Sequence, residues 1–384
     1  MFQAGNEAMD EIDVLRNLVA INSIGPGEKK IAEHLEALLV KRGFSTKRLE
    51  IAPGRFNILA ERGGKGTPVG LYGHMDTVEP AQGWKTDPLA LREEGGHLVG
   101  LGAWDMKAGI GAILCATEER NTRPLRVAFG VDEENISEGA HAIVGSGFFR
   151  GCDVIISTDT GGDGGEHFGE RQITLGRLGR AVYEFIVPGK AGHGAGRDGV
   201  SAIDEGMKLV RELRKIRPKK HRLLPAPPIF VRSFHSESRS LSLPDMCIIE
   251  LDRHLVPPES AESVLSELRI GIGWLYEKGL FRELDGKRVE VRLKERKTPY
   301  LVPQITDRKN ENVKKMEKMI RENFGEPKMV YGNSVADENV LAQSGVPVMT
   351  YGPKGSNMHS AGEWVSRTSY LNLIRGLRLF LQSD

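Results

Sequence analysis

Five segments of the chain carry residue types able to hold a metal ion or move a proton. In LYGHMDTVEP, His74 and Asp76 stand two apart, so on an extended backbone both side chains leave from the same side. One can bind a metal while the other bonds the second ring nitrogen, fixing the imidazole tautomer and strengthening it as a ligand. Taken alone, His-x-Asp is met more often in a plain surface turn. In GLGAWDMKAGIGAIL, Asp105 follows glycines and precedes a helix with small residues along one side; a carboxylate there is either a ligand or an N-cap. Glu133 and Glu134 close the apolar run VAFGV. Adjacent side chains on extended backbone diverge, so one of the pair can bind metal while the other faces substrate as a base, although paired acids are also common on surface loops. Asp159 follows VIIST, and His359 lies in the loop GPKGSNMHSAGEWV.

Each residue has an ordinary structural reading, but their order, with nearly all at the ends of apolar runs, points to one site. Charge arithmetic agrees with two divalent ions: neutral His74 and His359 add nothing, while Asp105, Glu134 and Asp159 supply −3, so two zinc ions and one bridging hydroxide come to zero. If Asp105 bridges, each ion has three protein ligands, the number usual for catalytic zinc with a position left for water. Glu133 is then free as general base.

The elements that must position these residues follow from periodicity. Met9, Ile12, Leu15, Leu18 and Val19 repeat at helical spacing between Glu7 and Ile21, and Ile31, Leu35, Leu38 and Leu39 repeat it between Ile31 and Val40, with Gly25, Pro26 and Gly27 between the two helices. Apolar runs at 69–74, 125–134 and 152–160 then alternate with helical stretches, which predicts an α/β domain with a largely parallel sheet covered on both faces. Ligands collect at the carboxyl ends of such strands. From about Gly179 the order becomes AVYEFIV, a helix from Val200 to Ile216, IFVRSF, CIIELDRHL, a helix from Ser260 to Lys278, and VEVRL. This β-α-β-β-α-β order predicts a small two-layer, ferredoxin-like α+β domain inserted into the first. The α/β pattern resumes after Thr298, with helices near 308–323 and 369–381.

The set GHMDTV, GAWDMKAGIGA, DEE, STD and NMHSAGEW resembles that of the dinuclear zinc exopeptidases and deacylases, which include succinyl-diaminopimelate desuccinylase, acetylornithine deacetylase, glutamate carboxypeptidase and aminoacylase. The resemblance spans the chain. It implies a zinc-exopeptidase-like catalytic domain with a mixed, largely parallel sheet, formed by 1–178 and 298–384, and a lid and dimerisation domain at 179–297. It implies two Zn2+ ions, with Co2+ or Mn2+ able to substitute: His74, Asp105 and Asp159 on one, Asp105, Glu134 and His359 on the other. Asp76 would orient His74, and Glu133 would activate the bridging water. In the lid, His193 of VPGKAGHGAGRDGV matches a histidine that reaches the neighbouring subunit's active site to stabilise the developing oxyanion. Arg253 of CIIELDRHL matches an arginine that grips a substrate carboxylate, as its planar fork suits; read without the resemblance it is a strand-end surface charge. Asn333, Ser334 and Gly352 fall where the family has substrate-contacting loops. The expected substrate is a small molecule with a free carboxylate, an N-acyl amino acid or, as the alternative, a short peptide.

Two departures stand out. Asp159 occupies a place where the named deacylases usually carry Glu, and is more like the di- and aminopeptidase branches. Glu166, in GGDGGEHFGE, is a competing candidate for that ligand position.

Composition bounds the rest. The 384 residues suggest two domains, and 53 Lys+Arg against 52 Asp+Glu leave a net charge of +1, which argues against a nucleic-acid binder. The basic run at 208–222 reads as a solvated helix face with its trailing loop. No apolar stretch is long enough to span a membrane, no export signal precedes the first helix, and Cys115, Cys152 and Cys247 read as reduced thiols of a cytoplasmic protein. GAGRDG at 194–199 matches the G-x-G-x-x-G of a nicotinamide-cofactor dehydrogenase, but Pro188 through His193 separate it from the preceding strand, and this reading leaves the acids unexplained. A non-catalytic binding relative would be expected to have lost ligands or the base, and all are present.

Overall fold

The computed structural model describes residues 10–118, 123–161, 168–238 and 241–382. Two compact units emerge, one of Met1–Gly176 with Ile305–Asp384, the other of Arg177–Gln304. The sequence placed the crossings near 179 and 298.

In the first unit a nine-stranded sheet runs in the order Ser45–Ala52, Arg55–Arg62, Leu125–Gly130, Val69–His74, Val154–Ser157, Val348–Thr350, Gln172–Arg177, Gln304–Ile305, with Lys328–Gly332 branching from Gln172–Arg177. Leu125–Gly130, Val69–His74, Val154–Ser157 and Val348–Thr350 are mutually parallel. The first two strands form an antiparallel hairpin, and Gln172–Arg177 also pairs antiparallel, so the sheet is mixed with a parallel centre. All six residues of Val69–His74 are buried, as expected of a strand covered on both faces and read as a continuous apolar run. The register pairs His74 with Gly130 and Ser157 with both Tyr72 and Thr350. His74, the turn after Gly130, Asp159 and Gly352 therefore leave neighbouring strand ends on one rim of the sheet.

Helices close the faces. Glu11–Ala20 starts at Asp10, whose carboxylate accepts from Ile12 N, and buries Ile12, Val14, Leu15, Leu18 and Val19; Met9, part of the expected stripe, lies outside the described residues. Lys29–Lys41, Glu311–Asn323 and Arg367–Gln382 fall where periodicity placed them. Ala108–Ala116 is buried along its whole length. A Cβ at Gly109 would stand 2.2 Å from the carbonyl oxygen of Thr158, so only glycine lets this helix press against the strand end that carries Asp159.

The second unit is a four-stranded antiparallel sheet in the order Ile229–His235, Met246–Leu255, Gly179–Pro188, Glu290–Leu293. With helices Ala202–Leu213 and Ala261–Glu277 it has the β-α-β-β-α-β, ferredoxin-like order. Ala181, Tyr183, Phe185 and Val187 alternate onto one face and pack with Leu209, Leu213, Val264 and Leu268 of the helices. Ser260 caps the second helix by a reciprocal pair with Ser263, the capping box that stops a helix start from fraying. The glycines of GAGRDG lie in a loop, not at a strand-to-helix turn.

Candidate metal centre

Five ligand-type residues from distant parts of the sequence converge on the rim. Asp105 divides its carboxylate between two imidazoles: Oδ1 lies 3.1 Å from His74 Nε2, and Oδ2 lies 3.4 Å from His359 Nε2. Glu134 approaches His359 Nε2 at 2.9 Å. Two groups of potential donor atoms result, His74–Asp105–Asp159 and Asp105–Glu134–His359, each within 4.8 Å of one another. Imidazole nitrogens and carboxylate oxygens in groups of three suit a divalent cation such as zinc, and Asp105 is the one residue common to both groups.

The backbone around Asp105 is not a helix cap. Its φ of −113° and ψ of 95° are extended, three residues ahead of the helix at Ala108, so of the two sequence readings the N-cap is excluded. What holds it is Glu363. This 2% exposed carboxylate accepts from Gly102 N at 2.8 Å, Trp104 N at 2.9 Å and Asp105 N at 3.0 Å, tying the Asp105 loop to the segment that bears His359. Burial pushes the Glu363 carboxyl up to about 7 even against these three donors. Sequence reasoning passed over Glu363, for which the one local signal was an acid inside GEWV.

Asp76 does two jobs. Its main-chain carbonyl accepts from His74 Nδ1 at 3.1 Å, with its carboxylate 3.6 Å from the same nitrogen. The carboxylate itself accepts the main-chain N–H of Glu133 and of Glu134. The imidazole is thus oriented by the carbonyl bond with the carboxylate close by, and the same carboxylate braces the neighbouring turn.

Electrostatics follow from crowding. Burial works against a charged His74, yet its bonds to Asp105 and Asp76 hold its pKa well above the ordinary value. Bonds to Asp105 and Glu134 lift His359 to about 10. Burial opposes ionisation of Asp105, but the bonds to His359 and His74 hold it well below the carboxylate range. Burial raises the Glu133 carboxyl far above its usual value, His74 opposes, and the charges of Asp337, Glu134 and Asp159 add to the rise. Asp337 is itself buried, its carboxylate bonded to the Tyr72 hydroxyl, and burial lifts it to about 7.

Gly352 packs directly on the Asp159 segment: a Cβ there would fall 1.9 Å from the Asp159 carbonyl oxygen. Asn333 is exposed and Ser334 half-buried, on the loop after Lys328–Gly332. Glu166 lies outside the described residues. In the second unit, His193 is exposed, and its Nδ1 accepts from Ala195 N at 3.2 Å, which leaves Nε2 to carry the proton of the neutral ring. Arg253, near the end of the strand Met246–Leu255, is fully buried, giving Nη2 to Glu259 at 2.6 Å and facing Glu267 with Nη1 at 3.9 Å; its Nε makes no hydrogen bond among the described residues. It is not the surface charge of the alternative reading.

The chain belongs to peptidase family M20/M25/M40, whose profile matches residues 70–383, and it is a metallohydrolase of amide bonds. Succinyl-diaminopimelate desuccinylase of Wolinella succinogenes is 26% identical over 372 residues, covering 92% of this chain and 94% of the relative. Among solved structures, aminopeptidase PepT of Bacillus cereus superposes with a TM-score of 0.79 at 18% identity over 97% of both chains. YXEP of Bacillus subtilis, described as a dinuclear metal-binding peptidase, gives 0.71 at 14% identity over 97% of this chain and 96% of that one. No helix among the described residues is long and apolar enough to cross a membrane.

Proposed function

We propose that the protein removes the acyl group from an N-acyl amino acid, with two zinc ions, or cobalt or manganese in their place, as cofactor. The observation that carries the two-metal chemistry is the divided carboxylate of Asp105 between two donor triads, and the acyl substrate is supported by the likeness to succinyl-diaminopimelate desuccinylase along nearly the whole chain. His74, Asp105 and Asp159 would hold one ion and Asp105, Glu134 and His359 the other. Bound there, the ions supply Lewis-acid polarisation of the amide carbonyl and a water acidified for attack.

The chain's own residues do the rest. Glu133, with its raised proton affinity, takes a proton from the attacking water and returns it to the leaving nitrogen. His193 presents Nε2–H, the tautomer fixed by Ala195 N, as a donor to the developing oxyanion from a neighbouring copy of the chain. Arg253, whose guanidinium lies between Glu259 and Glu267, would take the substrate carboxylate that its planar fork suits, and Asn333, Ser334 and Gly352 belong to loops that would line the substrate. In this reading the second unit serves as lid and dimerisation domain, and the enzyme works on small metabolites in the cytoplasm.

Asp159 supports a second reading, a dipeptidase or carboxypeptidase, because Asp at this position is more like the peptidase branches than the deacylases. Amine release by zinc- or cobalt-loaded enzyme separates the two, on a panel of N-acetyl and N-succinyl ornithine, lysine and diaminopimelate beside unblocked dipeptides. Turnover of blocked substrates alone supports the deacylase. Turnover of dipeptides alone replaces it with the peptidase, and silence with both ions bound overturns both in favour of a binding protein.

A further inference from the structure

The turn that carries Glu133 and Glu134 is held in a backbone conformation it would not adopt by itself. Asp132, with φ 71°, and Ser137, with φ 58°, bracket it, both in the left-handed region without being glycine. Such residues persist where surrounding structure over-determines them. From one side Asp76 takes the N–H groups of Glu133 and Glu134. From the other side the 3% exposed carboxylate of Asp132 takes Ile136 N at 3.3 Å and Glu138 N at 3.2 Å, and its carbonyl takes Ser137 N at 2.7 Å.

Asp132 is in turn anchored. Arg55, on the strand Arg55–Arg62, donates Nη2 to Asp132 Oδ1 at 2.9 Å and Nε to both oxygens of Glu28, at 3.1 and 3.0 Å. Glu28 is 1% exposed at its side chain and Arg55 14%, with Glu138 a further 3.8 Å from Nη1. One guanidinium therefore joins the loop before the helix Lys29–Lys41, the strand Arg55–Arg62 and the turn of the proposed base. None of these three residues offers an atom to the metal-ligand groups.

We infer that Arg55, fixed by Glu28, is a positioning residue for Glu133: it locks Asp132 and so sets where the base carboxylate stands relative to the attacked amide. The inference rests on the assignment of Glu133 as base. The planar fork of arginine serves Glu28 and Asp132 together in a fixed geometry, which a single ammonium reproduces only in part. A misplacement of about 1 Å is enough to cost roughly 10²-fold in rate.

The test compares zinc-loaded wild type, Arg55→Lys and Arg55→Ala by hydrogen–deuterium exchange of the peptide spanning 131–139, and by kcat and KM on whichever amide of the panel the wild type cleaves. Expected are faster exchange confined to that peptide, two ions still bound, unchanged KM and a kcat lowered by roughly 10²-fold in Arg55→Ala. Free guanidinium at a non-denaturing concentration should partly restore that kcat, and Arg55→Lys should fall between the two. Wild-type exchange at 131–139 in both variants overturns the inference, as does a kcat loss matched by loss of metal or by exchange across the whole chain. If the wild type cleaves nothing, the proposed function fails, while the exchange comparison still decides whether Arg55 holds the turn.

Discussion

Asp76 and Glu134 are joined across two neighbouring strand ends: the Asp76 carboxylate accepts Glu134 N at 3.0 Å and, with its other oxygen, Glu133 N at 3.2 Å. The burial of Asp76 opposes its ionisation, but its bond to His74 keeps it charged, below its ordinary pKa. Asparagine has one acceptor oxygen, so Asp76→Asn sets an amide NH2 against a buried N–H, at a cost of about 1–3 kcal/mol. The expected result is a lowered Tm and turnover reduced about 10–100-fold. Unchanged turnover would show that the turn is held without Asp76.

Glu133 donates no atom to either ligand group. Glu133→Gln should therefore leave both ions bound, as measured by elemental analysis of the dialysed protein, while amide hydrolysis falls by roughly 10²–10⁴-fold. Loss of metal in step with activity would make Glu133 a ligand instead of the base.

Gly352 is a packing requirement. With 1.9 Å between an added Cβ and the Asp159 carbonyl, Gly352→Ala must displace the Asp159 segment or its own loop. Metal titration should show the His74–Asp105–Asp159 ion weakened, and the Asp105–Glu134–His359 ion retained. Equal weakening of both would place the strain elsewhere.

Proton release should accompany metal binding. His359 rises from 6.5 to about 10 through Asp105 and Glu134, and a metal takes the same lone pair, so binding near neutral pH must expel that proton and the affinity must grow as pH rises. For chelated protein the sign is opposite: a histidine with a raised folded pKa stabilises fully below 6.5, and that stability is lost as pH climbs through about 10. Calorimetry in buffers of different ionisation heats counts the protons, and a Tm series after chelation checks the second trend. Release of no proton at pH 7 would contradict the assignment of His359.

The strand-end residues were legible because each closes an apolar run, and burial on both faces makes such runs continuous. The first hairpin was less so, although its turn at Pro53 and Gly54, the latter with φ 74°, is a local signal. The three-residue strands Arg92–Glu94 and His97–Val99 are too short to show a period, and their turn at Gly95 and Gly96 is the one cue. Of the supports of the site, Asp76 was readable because it stands two residues from His74, whereas the distant ones were not. Glu363 serves N–H groups some 260 positions earlier, and Arg55 meets Asp132 from 77 positions away; no local spacing records such partners. Asp105 lay between: its type was clear, but only the path of the backbone excluded a cap.

The candidate metal centre draws four of its five side chains from the chain before the inserted unit and the fifth, His359, from beyond it. During synthesis, then, His74, Asp105, Glu134 and Asp159 leave the ribosome long before the residue that completes the second triad. Nascent chains that stop short of His359 can assemble at most one of the two donor groups, so under the proposed function hydrolytic competence would arrive only once the segment bearing His359 has been made and folded back.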